Sequence, residues 1–355
     1  MVKLFMRGKK MTTGRWVLTV ALSVTWLLSG LGAGGQTAEA RISDLAASSG
    51  TFVDTERHWA KKEIAEAVSA RWVQGFPDGT FRPETPVSQE QFMALVERML
   101  PPFNGHEADD FAQDLYLKPV KGRWSEKTYK HLLPAGILPS GKPEEPLTRV
   151  EAARLTLAAL GKQSEGEKYR GTTSRFFSDV SVDNEHQVVM VYPIYKLGVM
   201  AGYPDGTFRP NDKVSRAQAV VLLNRIREAQ EELYPGKVTE AERQAMTKAV
   251  DSFVTTVMDK EKIRRYDDLV SYVQKNKLPV SEKFLQEHFS FMKYDVYDFI
   301  RFPRFDELIY YAKISEGKYR MTVQYYSGEL GGSVDRTFYL ASADGKDFRL
   351  IGKDE

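Results

Sequence analysis

The 355-residue chain has no cysteine, 42% hydrophobic residues and a formal net charge of +2. This length allows about two domains of roughly 100–200 residues, and the lack of cysteine excludes disulfide scaffolds, thiolate zinc sites and cysteine nucleophiles. Lys3, Arg7, Lys9, Lys10 and Arg15 stand against Glu39 in the first forty positions, so the remainder is slightly acidic and offers no electrostatic basis for binding nucleic acid.

The basic start, the apolar run from Trp16 to Leu28 and Ala38-Glu39-Ala40 read as a signal peptide with an A-x-A cleavage site. The apolar run is shorter than the roughly 20 residues that span a bilayer. Residues 1–40 are therefore expected to be removed on export, with no stable membrane insertion afterwards, and 41–51 to form a linker. No cysteine follows the apolar run, which excludes a lipoprotein anchor.

Phe76 to Pro83 (FPDGTFRP) and Tyr203 to Pro210 (YPDGTFRP) are identical at seven of eight positions across an offset of 127, the mark of a duplicated unit. Phe52-Val53-Asp54 precedes the first copy and Phe177-Ser178-Asp179 the second. A third, eroded unit lies between them, with Trp124, Tyr129, Ala135-Gly136-Ile137 and Leu147 to Glu151. Each unit reads as a helix (in the first, Trp59, Ile64, Ala67 and Val68 form its apolar stripe), a Pro/Gly turn plugged by Phe81 or Phe208, and a second helix. The second helices start with capping boxes, Ser88 with Gln91, Thr148 with Glu151 and Ser215 with Gln218. Capping does not explain Arg149 and Arg216, cations at the first helical position, where the helix dipole disfavours them. They are candidate anion ligands.

The pattern F-x-D…W…G-[FY]-P-D-G-T-F-R-P…[ST]-R-A-E resembles the S-layer-homology (SLH) family over about 180 residues. The resemblance implies a mainly α three-repeat bundle, a pseudo-trimer, whose grooves hold secondary cell-wall polysaccharide ending in a pyruvylated amino sugar. It divides the chain into SLH repeats at 52–103, 104–163 and 164–230, followed by 231–355. By resemblance Arg149 and Arg216 grip the pyruvate carboxylate, a task suited to a guanidinium fork. Asp54 and Asp179 accept from sugar hydroxyls, Trp59 and Trp124 wall the grooves, and Gly75 and Gly202 admit a close backbone approach. Other readings stand beside these: Trp59 and Trp124 as core residues, Asp54 and Asp179 as caps or turn residues, Arg82 and Arg209 as structural ion pairs. The first repeat has Gln89 where the arginine belongs and Arg71 where a glycine is expected. The second lacks DGTF, and the third has no tryptophan in its first helix, Gln187 to Tyr192 occupying that region. One or two competent grooves are expected.

Beyond Gln230 an apolar stripe predicts a helix over Thr239 to Asp259, with further helices at Tyr266 to Asn276 and Ser281 to Lys293. Alternation then predicts strands at Leu308 to Ile314, Tyr319 to Tyr326, Val334 to Ser342 and Phe348 to Ile351, giving a small α+β domain with an antiparallel sheet whose outline is similar to NTF2-like cones. Its aromatics, among them Tyr294, Tyr297, Phe299, Phe302, Phe305, Tyr310, Tyr311, Tyr325 and Tyr326, either line a ligand surface or fill space between sheet and helices. No H-E-x-x-H, G-x-S-x-G or P-loop occurs, and the histidines are isolated. Asp267-Asp268 and Asp306-Glu307 read as solvated or capping pairs. No catalytic residue, metal or cofactor is expected. The sequence therefore predicts an exported protein held non-covalently at the bacterial cell wall or surface. The alternatives are a wall-anchored enzyme with its catalytic part in 231–355, or a secreted interaction module with degenerate repeats. Oligomeric state is not specified.

Overall fold

Backbone hydrogen-bond demand explains how the helical units associate. The structure is a computed structural model that describes residues 52–101, 103, 113–258, 263, 265–289, 308–327 and 332–353. The signal peptide, the linker, His106, Tyr294, Tyr297, Phe299, Phe302, Phe305 and the Asp306-Glu307 pair lie outside these, as does the predicted third C-terminal helix beyond Phe289.

The first unit holds α1 (Lys61–Ser69) and α2 (Gln89–Glu97), the second α3 (Glu126–Leu132) and α4 (Arg149–Ala159), and the third α5 (Glu185–Lys196) and α6 (Arg216–Leu233). The extended segments before α2, α4 and α6 bond in a closed ring: Val87 N donates to Val214 O, Val214 N to Leu147 O and Leu147 N to Val87 O, each at 2.9 Å. The first backbone N–H groups of a helix have no partner within it. Here the next unit supplies them. Gln89 N and Glu90 N donate to Glu145 O and Pro143 O, Arg149 N and Val150 N to Asp212 O and Pro210 O, and Arg216 N and Ala217 N to Thr85 O and Pro83 O, all within 3.0 Å. The third N–H goes to the cap hydroxyl of Ser88, Thr148 or Ser215. Both serine boxes close reciprocally. At Thr148 the box is half made, because the Glu151 carboxylate turns to Arg154 Nε at 3.0 Å and to Ser140 Oγ.

Ile64, Ala67 and Val68 are buried, as the stripe requires, but Trp59 is 62% exposed and so is Trp124. Neither is a core residue. The turn plugs Phe81 and Phe208 are fully buried, worth about 1.5–3 kcal/mol each.

The C-terminal part contains α7 (Glu240–Met258), α8 (Tyr266–Asn276) and α9 (Glu282–Phe289), then β1 (Leu308–Ser315), β2 (Lys318–Ser327), β3 (Gly332–Ala341) and β4 (Arg349–Ile351), an antiparallel meander in chain order. Side chains alternate across a strand, and both faces of this sheet are covered. Ile309, Met321, Val323, Phe338 and Leu340 share a core with α7 to α9. Leu308 and Tyr310 join the core of the helical units instead. On that second face Tyr310 Oη donates to Ala159 O at 2.5 Å, buried Gln324 Nε2 to Ala135 O at 2.8 Å, and Ser164 N and Oγ to Asp335 at 2.8 and 2.7 Å. Tyr310 also stacks on Tyr234, with ring centroids 4.6 Å apart. Thus Tyr310 does not fill space between the sheet and its own helices, whereas Tyr311 does, bonding Thr247 at 2.7 Å.

Candidate anion-binding clefts

Arg149 and Arg216 each extend from the start of α4 or α6 into the turn of the next unit. Arg149 Nε donates to Phe208 O (2.9 Å) and Nη2 to Ala201 O (3.0 Å). Arg216 Nε donates to Phe81 O (2.9 Å) and Nη2 to Gln74 O (3.2 Å). The acceptors Phe208 and Ala201 stand 127 residues after Phe81 and Gln74, the offset between the two copies of the turn, and the arginines that reach them are 67 residues apart. Each guanidinium lies over two rings, Arg149 at 4.7 Å from Phe208 and 4.9 Å from Tyr203, and Arg216 at 4.6 Å from Phe81 and 5.0 Å from Phe76. Among the described residues neither forms an ion pair. Burial lowers the pKa of both from the ordinary arginine value, yet an arginine stays protonated in proteins. The result is a desolvated cation whose partners are neutral, with N–H donors remaining from the five of each guanidinium.

Both open onto clefts. The Arg149 cleft, about 410 Å³, is walled by Trp59 from the first unit, Gly202 and Tyr203 from the third, and Arg225. The Arg216 cleft, about 440 Å³, is walled by Trp124 from the second unit, Gln74 from the first, and Arg71 and Arg98. Among the described residues no carboxylate lines either. Each therefore takes a turn from one unit, an arginine from a second and a tryptophan from the remaining one. The tryptophans are anchored through their neighbours. His58 Nε2 lies 2.7 Å from Glu84, and Arg123 forks onto the buried Glu90 carboxylate at 3.0 and 2.8 Å, holding that carboxyl below its usual pKa.

A third cleft of about 390 Å³ occupies the equivalent place and is chemically different. Gln89 replaces the arginine and is 3% exposed. Its amide is used up on the shortened turn: Nε2 donates to Gly141 O at 2.7 Å, and Oε1 accepts from Ser140 N and Gly141 N, both at 3.0 Å. His186 stands at the tryptophan position, and Glu145 and Glu151 line the walls.

Asp54 and Asp179 line neither large cleft. Asp54 accepts from Phe81 N (2.9 Å) and Arg82 N (2.7 Å), and Asp179 from Phe208 N and Arg209 N, both at 2.7 Å. They clamp turns in which Arg82 and Arg209 take φ of 57° and 58°. Arg82 and Arg209 in turn pair with Asp78 and Asp205 at 2.8 Å. Bonds from Thr80 and Thr207, and then from these arginines, bring both aspartates down to about 2. Gly75 lines neither cleft, and Gly202 lines the first. Both make room for an aromatic ring of their own unit: a Cβ at Gly75 would lie 2.0 Å from Phe52, and one at Gly202 2.3 Å from Phe177. Arg98 and Arg225, absent from the sequence prediction, are a pair at the same offset of 127 and were findable by that rule.

The S-layer homology domain model matches residues 51–93 and 191–220, so the chain carries SLH-domain sequence. It is 27% identical over 162 residues to cell surface glycoprotein 1 of Acetivibrio thermocellus, covering 43% of this chain and 7% of that one. It is 25% identical over 167 residues to the cellulosome-anchoring protein of the same organism (44% and 35%), and 26% identical over 185 residues to an S-layer protein of Bacillus licheniformis (51% and 20%). The chain thus spans about a third or less of the length of these relatives. Among the described residues no helix is long and apolar enough to cross a membrane, and no cluster of three metal-ligating side chains occurs.

Proposed function

We propose that the three helical units are SLH repeats forming a pseudo-trimer that attaches an exported protein, non-covalently, to an acidic secondary cell-wall polysaccharide with a pyruvylated amino sugar. Residues 231–355 are the part presented at the surface, with no catalytic role. The carrying observation is the pair of guanidiniums, buried at Arg149 and half-buried at Arg216, that form no ion pair among the described residues, each beside an exposed tryptophan in a cleft of ligand size. A carboxylate supplies the missing charge through a guanidinium fork, while the indole covers the apolar face of a sugar. Two competent clefts follow, since Gln89 is neutral and its amide is engaged by the shortened turn. The names of the relatives, a cell surface glycoprotein, an anchoring protein and an S-layer protein, support this reading. The test is co-sedimentation of the protein with bacterial wall sacculi before and after chemical removal of the polysaccharide. Binding to intact sacculi alone is expected, and equal binding to stripped sacculi refutes the proposal.

A further inference from the structure

Arg71, Gly136 and Gly198 occupy one structural position in the three units, and the backbone there is left-handed in each, with φ of 62°, 71° and 71°. Glycine fits this geometry without cost, whereas a side chain carries a penalty. Only the first unit places a side chain there, and it is a cation on the wall of the Arg216 cleft. The Arg71 side chain is exposed and makes no ion pair among the described residues. The Arg149 cleft has Ala201 where this one has Gln74, and its position equivalent to Arg71 is Gly198. One framework thus carries two chemistries, a more apolar cleft and a more polar one with an additional cation.

We infer that Arg71 makes the Arg216 cleft selective for a glycan segment with two anionic groups, one at Arg216 and a second, carboxylate or phosphate, at Arg71. Left-handed backbone at a non-glycine residue persists only where the surrounding fold holds it, as it also does at Arg82, Arg209 and Lys277; Arg71 differs in standing where the repeat otherwise uses glycine. Here both other units show the unstrained solution. The inference rests on the acidic-glycan reading above: both clefts take the pyruvylated sugar, and the Arg216 cleft alone gains from a second anionic group.

The test is calorimetric titration of the full chain and of its Arg71→Gly and Arg71→Lys variants with three probes. These are a pyruvyl-ketal amino sugar, the same sugar linked to a hexuronate, and the same sugar linked to a sugar phosphate. Arg71→Gly is expected to weaken one site for a doubly charged probe about tenfold, to leave the singly charged probe unaffected and not to lower Tm. Arg71→Lys is expected to restore part of the loss. The doubly charged probe that suffers the larger loss identifies the second anion. If Arg71→Gly changes no affinity, or weakens all three probes equally, the inference fails while the attachment reading stands. If the unmodified chain binds none of them, both fail.

Discussion

Asp179→Ala separates a turn clamp from a sugar ligand. The Asp179 carboxylate holds Phe208 N and Arg209 N at 2.7 Å each, closing the turn from 29 and 30 residues away. A hydrogen bond to a charged group contributes about 1.5–3 kcal/mol when buried. Because Asp179 is exposed, the pair is worth about 2 kcal/mol. With a urea m-value of about 2 kcal/mol per M, the unfolding midpoint falls by about 1 M. Asp179→Asn keeps one acceptor oxygen but sets its NH2 donor against the second backbone N–H, so its midpoint falls about as far as that of Asp179→Ala. Urea unfolding followed by far-UV circular dichroism measures the shift, and wall binding at low urea reads the function. The clamp account predicts a lowered midpoint with binding retained at temperatures where the variant is folded. An unchanged midpoint together with lost binding would refute it and restore Asp179 as a ligand.

Other outcomes follow from the same contacts. Gly75→Ala places a Cβ 2.0 Å from the buried Phe52 ring and should cost about 1–3 kcal/mol, seen as a lower Tm. Tyr310→Phe removes one of two donors to Ala159 O, leaving Gln230 Nε2 at 3.2 Å, and should cost about 0.5–1.5 kcal/mol in denaturant titration. His288 is stacked on Phe284 and Phe338, and burial lowers its pKa below 6.5. The unfolded chain then binds this proton more readily, so stability is full above pH 6.5 and declines as the pH falls toward the lower folded value. His288→Phe should flatten that part of the pH–stability curve, and an unaltered slope would show that this histidine is not responsible.

Local rules made several elements legible. Capping hydroxyls at Ser88 and Ser215 fixed where α2 and α6 begin, and alternation between glycine turns placed β1 to β4 within a residue or two of their bounds. The long-range contacts were hidden. Asp54 and Asp179 show the same local F-x-D pattern whether they bind sugar or backbone, and only the folded turn reveals which amides they meet. Trp59 sits two residues before the helix that begins at Lys61, where periodicity no longer says which way a side chain faces. On the second face of the sheet, the partners of Gln324 and Asp335 are Ala135 and Ser164, which belong to a different unit and lie beyond the reach of any local pattern. Arginine at the first helical position is informative because it runs against the local electrostatics, and among the described residues neither Arg149 nor Arg216 forms an ion pair.

The most direct test is the number of pyruvyl-ketal amino-sugar molecules bound per chain by isothermal titration calorimetry, for the unmodified protein, Arg149→Ala, Arg216→Ala and the double variant. Two, one, one and none are predicted, with helix content the same throughout. Undiminished binding by a folded double variant would contradict the role given to these two cations.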